Sequence, residues 1–327
     1  MDIEGWLDEK MAGYERLTEN IVSVTKSILS AEGVKFLSVT GRTKERKSII
    51  EKIKRKKYNK IDAQLTDVTG VRIVVFIETD IARVCEALRT SFQIDEANSN
   101  YDMKSPRPDH VGYRSAHMVA SIGAERSGLR EFVGLEGLVF EFQIRTILQH
   151  AWAELAHDRA YKFESGLPYE ITRKLNLHAG LLEIADRGFA ELVAEIESYK
   201  KEIGDQYNAG NQNIEVNTLT LKEFIDRWAS KTGFEVFDTN YDDYQSLIDE
   251  LYSFGVHSIG DLEQIIPDGY AEVAQKHQYS TTIFGIVRDW MGMTDPAKVV
   301  AMQPGWRFFD DEFDVTNNNV SFYQEMI

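Results

Sequence analysis

The stretch EFQIRTILQHAWAELAHDRAYKF, residues 141–163, gathers Glu141, Gln143, Arg145, His150, Glu154, His157 and Asp158 along one strand-to-helix junction. Carboxylates, imidazoles and a guanidinium this close together can hold a metal, a phosphate or a base. Upstream, DVTGVRI sets Asp67 just before a β-branched run and Arg72 inside it, while Glu141 lies within the otherwise apolar VFEFQIR. A charge in such a run is costly unless it faces a site or an ion pair. Further upstream still, GRTKERKSIIEKIKRKKYNK, residues 41–60, has ten basic residues against two acidic ones, a local balance of +8. Arg42 and Lys44 stand at the mouth of a basic helix, with Ser48 and Lys52 one and two turns further on, so several donors can converge on one polyanion. Two carboxylates at neighbouring strand ends can hold Mg²⁺ through oxygen, and a basic helix with arginines can bind the phosphates bridged by that metal. The combination is equipment for phosphoryl transfer.

The elements that must position these groups alternate along the chain. Leu7, Met11, Tyr14, Leu17, Ile21, Val24 and Ile28 recur at helical spacing, with Gly33 as a stop. Residues 34–39 form a short strand candidate, and Ile49, Ile50 and Ile53 give the basic helix one apolar side. GVRIVVFIE, 70–78, predicts a buried strand, and 80–92 returns to helical period. Residues 95–112 carry Asn98, Ser99, Asn100, Pro106, Pro108 and Gly112 and predict a loop, followed by the alternating YRSAHMVAS. The strand GLVFEFQIR leads into a helix after Thr146, and 170–203 predicts another long helix. The order fits an α/β (α+β) fold, a mixed sheet flanked by helices. GDQYNAGNQN, 204–213, is the linker candidate. The division expected is therefore 1–203 and a mostly helical accessory region, 214–327, in which Gly255 ends one helix and Ser258 or Asp261 begins another.

At 327 residues the chain accommodates two domains, with 43% hydrophobic and 28% charged residues and no apolar run long enough for a membrane span. The acidic N-terminus MDIEGWLDEK lacks a secretory pattern, and Cys85, the single cysteine, excludes an intrachain disulfide framework and a thiolate zinc cluster. A cytoplasmic protein is expected. The net charge of −16 argues against a general nucleic-acid coat, yet from residue 211 onward twenty acidic residues face seven basic ones, a balance of −13. The chain is strongly polarised.

GRTKERKSIIEK, DVTGVRI, GYRSAH and EFQIRTILQHAWAELAHDRAYK, in this order, resemble the synthetase domain of the RelA/SpoT family over roughly residues 30–165. The resemblance implies a nucleotidyltransferase-like synthetase domain that moves pyrophosphate from ATP to the ribose 3′-hydroxyl of GDP or GTP, with Mg²⁺. It implies that Arg42 and Arg72 sandwich the adenine of ATP, that Lys44, Ser48 and Lys52 hold its phosphates, and that Asp67 and Glu141 carry the metal. Glu141 also accepts the proton of the attacking hydroxyl. Tyr113 stacks on the acceptor base, His117 contacts acceptor phosphate, and Gln143 and Arg145 order the surroundings.

Two departures bear on the acceptor. Where many relatives have Pro-Lys before Gly-Tyr, this chain has PRPDHVGYRS, with Arg107 in the equivalent role. His150 stands where some small synthetases have an Asn that reads guanine, and imidazole lacks the paired donor and acceptor. QHAWAELAHD also resembles toxin-type synthetases, some of which pyrophosphorylate the tRNA 3′ CCA end or make adenosine products. His150, Glu154 and His157 have zinc-compatible spacing but no evident fourth ligand. His157-Asp158 is an isolated dipeptide and not a hydrolase centre, so synthesis without hydrolysis is expected, with Tyr161 and Lys162 near the acceptor. A catalytically silent binding module is disfavoured because both Asp67 and Glu141 are present. LYSFGVHSIGDLEQI faintly resembles a helix-hairpin-helix, but its acidic surroundings disfavour phosphate-backbone binding. A packing or homo-oligomerisation module is one role for the region; the other is an acidic segment that restrains the basic substrate face until a protein regulator displaces it.

Overall fold

The computed structural model describes residues 2–101, 115–160, 168–237, 243–302 and 319–326; the side chains of 156–160, 319 and 320 lie outside that description. The chain divides into two compact units, Met1–Val193 and Ala194–Ile327.

The first unit runs α1 (Ile3–Ala31), β1 (Phe36–Thr43), α2 (Arg46–Lys56), α3 (Ile61–Gln64), β2 (Thr69–Val75), α4 (Glu78–Ser91), β3 (Gln93–Asn100), β4 (Ala116–Ser121), α5 (Gly123–Ser127), β5 (Val139–Thr146), α6 (Ile147–Ala160) and the start of α7 (Tyr169–Asn208). The sheet order is β1-β2-β5-β4-β3, with β2 and β5 parallel and the other neighbours antiparallel. This is the mixed sheet flanked by helices that the element order predicts.

Alternation divides the sheet into two faces. Val39, Val71, Ile73, Val75, Met118, Phe140, Phe142 and Ile144 are buried in one core with Leu7, Tyr14, Leu17 and Ile21 of α1 and Ile81, Val84 and Leu88 of α4. Gly41 lies on this face because α1 passes so close that a β-carbon would meet Thr18 and Val22 at 2.6 Å. Thr18 ties the layers together: its Oγ1 donates to the Tyr14 carbonyl at 2.9 Å and meets the hydroxyls of Thr43 and Thr69 at 2.7 and 2.8 Å. Ile49 and Ile53 bury the apolar side of α2, each worth about 1.5–3 kcal/mol on transfer from water. The opposite face carries the polar residues described below.

Three local differences from the sequence pattern have physical reasons. β1 continues through Gly41, Arg42 and Thr43, so Arg42 is a strand residue paired with Gly70 and does not stand at the mouth of α2. Residues 93–100, mostly inside the expected loop, form β3, an edge strand whose exposed polar residues pair only with β4 and show no apolar alternation. Residues 204–208, expected in the linker, are the last turn of α7. The region expected as loop from 102 to 112 and residues 308–318 of the acidic stretch FFDDEFDVTNNN lie outside the described residues.

The second unit continues α7 and then runs α8 (Thr218–Thr232), β6 (Val236–Phe237), α9 (Tyr244–Phe254), α10 (Ile259–Gln264), α11 (Tyr270–Lys276), β7 (Thr281–Thr282), α12 (Ile283–Thr294), α13 (Pro296–Met302) and α14 (Asn319–Met326). It is mostly helical, as expected, around a core of its own that includes Phe224, Leu251, Trp290, Met291 and Phe322. Gly255 ends α9 in the left-handed region, and Ser258 caps α10 with Asp261 completing a capping box. No helix among the described residues is long and apolar enough to cross a membrane.

Candidate active site

Strand register brings residues far apart in sequence onto one sheet face. Arg42 pairs with Gly70, Gly70 with Glu141, Arg72 with Gln143, and Gln143 with His117. Paired residues share a face, and residues two apart along a strand do too. Arg42, Arg72, Glu141, Gln143, Arg145 and His117 therefore form one polar array opposite the core. Gly70, without a side chain, leaves the space between Arg42 and Glu141 open. A cavity of about 510 Å³ lies here, lined by Gly41, Arg42, Lys44, Asp67, Gly70, Arg72, Gln143 and Arg145, with Ala153 and Glu154 of α6 as the far wall.

Asp67 sits just before β2, held where the Lys44 amide donates to the Val68 carbonyl at 2.8 Å. Its Oδ2 accepts from the Lys44 and Lys52 ammonium groups at 2.5 and 2.7 Å. Burial pushes the Asp67 carboxyl up, but hydrogen bonds from the two lysines outweigh it and hold the group below the usual carboxylate range. Glu141 follows the same pattern. Burial raises it, while His117, donating from Nδ1 to Oε1 at 2.6 Å, and Gln143, donating from Nε2 to Oε2 at 3.2 Å, bring it below its ordinary value. The charge of Asp67 acts on Glu141 in the opposite sense, which puts the two carboxylates within each other's field.

The arginines are similarly crowded. Burial, then the Arg72 charge, lowers Arg145 from its ordinary value, and Arg145 donates through Nε to the Ser115 hydroxyl at 2.5 Å. Arg72 donates to Glu154 at 2.8 Å. Burial and the Arg72 charge also lower His150, whose Nδ1 is 3.8 Å from the same Glu154 oxygen, too far for a hydrogen bond.

The junction itself is built from a sequence signal overlooked in the motif: Thr-x-x-Gln is a capping box. Gln149 Oε1 accepts from the Thr146 amide, and Thr146 Oγ1 accepts from the Gln149 amide, both at 3.1 Å. Thr146 Oγ1 then donates to buried Asp186 of α7 at 2.6 Å. This ties the end of β5 to α6 and α7 and fixes how α6 overhangs the cavity.

Of the residues expected at the site, Arg42, Lys44, Asp67, Arg72, Gln143 and Arg145 line the cavity, Lys52 reaches it through Asp67, and His117 and Glu141 lie beside it on the same face. Ser48 is exposed on α2 and does not line the cavity. Arg107, Tyr113, Tyr161 and Lys162, with the side chains of His157 and Asp158, lie outside the described residues. Ser115 and the role of Glu154 toward Arg72 were not legible, since both depend on which strand or helix lies opposite.

The donor set suits a hard divalent cation that keeps waters and borrows phosphate oxygens: two carboxylates share the site, and among the described residues the buried Asp67 Oδ1 has no hydrogen-bond partner. Among the described residues no three His, Cys, Asp or Glu side chains gather as a metal cluster.

Residues 41–166 match the family model described as "Region found in RelA / SpoT proteins". GTP pyrophosphokinase YwaC of Bacillus subtilis is 27% identical over 160 residues, 48% of this chain and 73% of the relative. GTP pyrophosphokinase YjbM of the same organism is 29% identical over 164 residues, 49% of this chain and 72% of the relative. The crystal structure of small alarmone synthetase 1 from Bacillus subtilis bound to its product pppGpp superposes with a TM-score of 0.50 at 25% identity, covering 59% of this chain and 98% of that one.

Proposed function

Since residues 41–166 match the model of a region found in RelA/SpoT proteins, we propose that the chain transfers pyrophosphate from ATP to the 3′-hydroxyl of GDP or GTP, making (p)ppGpp, with Mg²⁺ as cofactor. The observation that supports this most is the sheet face on which Asp67 and Glu141 come within each other's field, beside a cavity edged by Lys44, Lys52, Arg42, Arg72 and Arg145. The relatives named as GTP pyrophosphokinases support the same reaction.

In the reaction the acceptor O3′ bonds to the β-phosphorus of ATP, the bridge to the α-phosphorus breaks, and AMP leaves. Asp67 and Glu141 would hold Mg²⁺, and the ion when bound would supply neutralisation of the charge that builds on the transferring phosphates. Lys44 and Lys52, now bonded to Asp67, are compact cations able to bind those phosphates. Glu141 takes the 3′-hydroxyl proton. Its lowered titration keeps it ionised and ready to accept, and His117 and Gln143 fix its orientation. Arg42 and Arg72, on adjacent strands and diagonal to one another, present planar cations to the donor base.

A second reading keeps this donor chemistry and uses the tRNA 3′ end as acceptor. Lys47, Lys54, Lys56 and Lys57 are exposed on or just after α2, a basic surface beyond what one nucleotide requires. Incubation with ATP labelled at the γ-phosphate, offering GDP, GTP, adenine nucleotides and deacylated tRNA separately, decides between them. Label in GDP and GTP alone supports the first reading; label in tRNA alone replaces it.

A further inference from the structure

The cavity has a wall that the reaction as described leaves without a task. Glu154 of α6 lines it, and its Oε1 accepts from the Arg72 NH1 at 2.8 Å. The contacts of Glu154 with Arg72 and His150 run through Oε1, and the buried Nε of Arg72 has no hydrogen-bond partner among the described residues. The guanidinium is thus held at one edge by a single carboxylate.

A guanidinium binds a purine through its flat face, and a three-carbon stem lets that face swing. An in-plane bond at NH1 fixes the plane while leaving both faces free. A base lying on Arg72 then brings its edge toward the carboxylate that orients the arginine. An ionised carboxylate only accepts hydrogen bonds, so it matches an exocyclic amino group and repels a carbonyl oxygen. We propose that Glu154 is a positioning and specificity-determining residue for the donor: through Oε1 it sets the plane of Arg72, and through Oε2 it selects a 6-amino over a 6-oxo purine. The inference rests on the ATP-donor reading above.

The pair is partly exposed, with side-chain accessibilities of 35% for Arg72 and 56% for Glu154, so its energy is modest and its value lies in geometry. The test uses the full chain, wild type and the variants Glu154→Ala and Glu154→Gln, with ATP or its 6-oxo counterpart inosine triphosphate as donor. Transfer kinetics are paired with fluorescence titration of a non-hydrolysable ATP analogue and with thermal unfolding. Glu154→Ala raises the KM for ATP about fivefold at nearly constant kcat, as expected for a lost charge-assisted contact at a half-open site. Its effect on inosine triphosphate is smaller, so the donor preference in kcat/KM shrinks. Glu154→Gln, whose amide can donate to a 6-oxo group, moves the preference further toward inosine triphosphate at an unchanged unfolding midpoint. Unchanged ATP KM and donor ratio in both variants overturns the proposal. So does an equal loss of both donors with a lowered midpoint, the mark of a purely structural pair. Should the wild type transfer nothing to any acceptor while the titration still shows Glu154-dependent selection of ATP, the transferase reading fails and the donor assignment stands.

Discussion

Each unit buries carboxylates, and the two treat them in opposite ways. In the first, Asp67 and Glu141 are held by lysine, histidine and glutamine donors at the edge of an open cavity, and both carboxyls titrate below their ordinary values. In the second, Asp289 of α12 is enclosed and meets three neutral hydroxyls: Tyr270 and Tyr279 donate to Oδ2 at 2.7 Å, and Tyr323 donates to Oδ1 at 2.8 Å. Burial pushes Asp289 up, and the three tyrosines only partly counter it. Cationic partners keep an acid ionised for use; neutral partners make it a packing node. The difference separates acids kept ionised beside an open cavity from one enclosed as a packing node, without reference to any motif.

The sharpest way to break that contrast is Glu141→Gln. Removing base and metal ligand together lowers kcat by about a thousandfold or more with folding retained, and normal turnover in a labelled-ATP assay defeats the assignment. Asp289→Ala is the counterpart: three hydroxyls, two of them buried, lose their acceptor, costing about 3 kcal/mol in the second unit, read as a lower midpoint in denaturant, with transfer activity per folded molecule unchanged. Next in size, Lys44→Met removes a phosphate-binding cation and raises the KM for ATP about tenfold; a change confined to the acceptor KM assigns Lys44 to the wrong substrate.

Acid titration sharpens the comparison further. Asp67 and Glu141 have folded values below their ordinary 3.8 and 4.5, so the stability they lend is complete above those values and is lost as pH falls through the folded ones. Asp289 has a folded value above 3.8, so its contribution is complete below that value and is lost as pH rises through the folded one. Hydrogen exchange, corrected for its intrinsic pH dependence, should show α12 gaining protection as the ordinary carboxylate range is approached from neutral pH and β5 losing it only below that range. Parallel behaviour of both elements contradicts the contrast.

The smallest effect concerns helix ends. α8 and α9 stop on Gly233 and Gly255, whereas α2 stops on Lys57 with φ of 53°, a conformation that glycine adopts without steric cost. Lys57→Gly raises stability by about 0.5 kcal/mol, the relief being reduced by the freer unfolded chain. Thermal unfolding measures it, and a decrease shows that the lysine contributes more than its backbone strain removes.

Much of this organisation was legible from residue order. GLVFEFQIR, expected as a strand, is β5, where Glu141, Gln143 and Arg145 share one face and the buried Phe140, Phe142 and Ile144 the other. Gly255 and Ser258 marked a helix boundary because their backbone and capping chemistry is local. β3 escaped because an edge strand needs no apolar face, and α7 ran on into the Gly and Asn stretch because a helix end is decided by packing as much as by propensity.

Residue types and spacing alone determined that this chain carries acids, arginines and lysines arranged for phosphoryl chemistry, and which side of each strand they occupy, since those are consequences of composition and of a two-residue repeat. Tertiary structure alone decided that β5 enters between β2 and β4, so that Glu141 lies beside Gly70 and His117 faces Gln143. It alone swung α6 over the sheet, through Thr146, Gln149 and Asp186, to set Glu154 against Arg72. Strand neighbours and helix overhang are settled by burial summed over the whole core, a quantity that no local stretch of sequence contains.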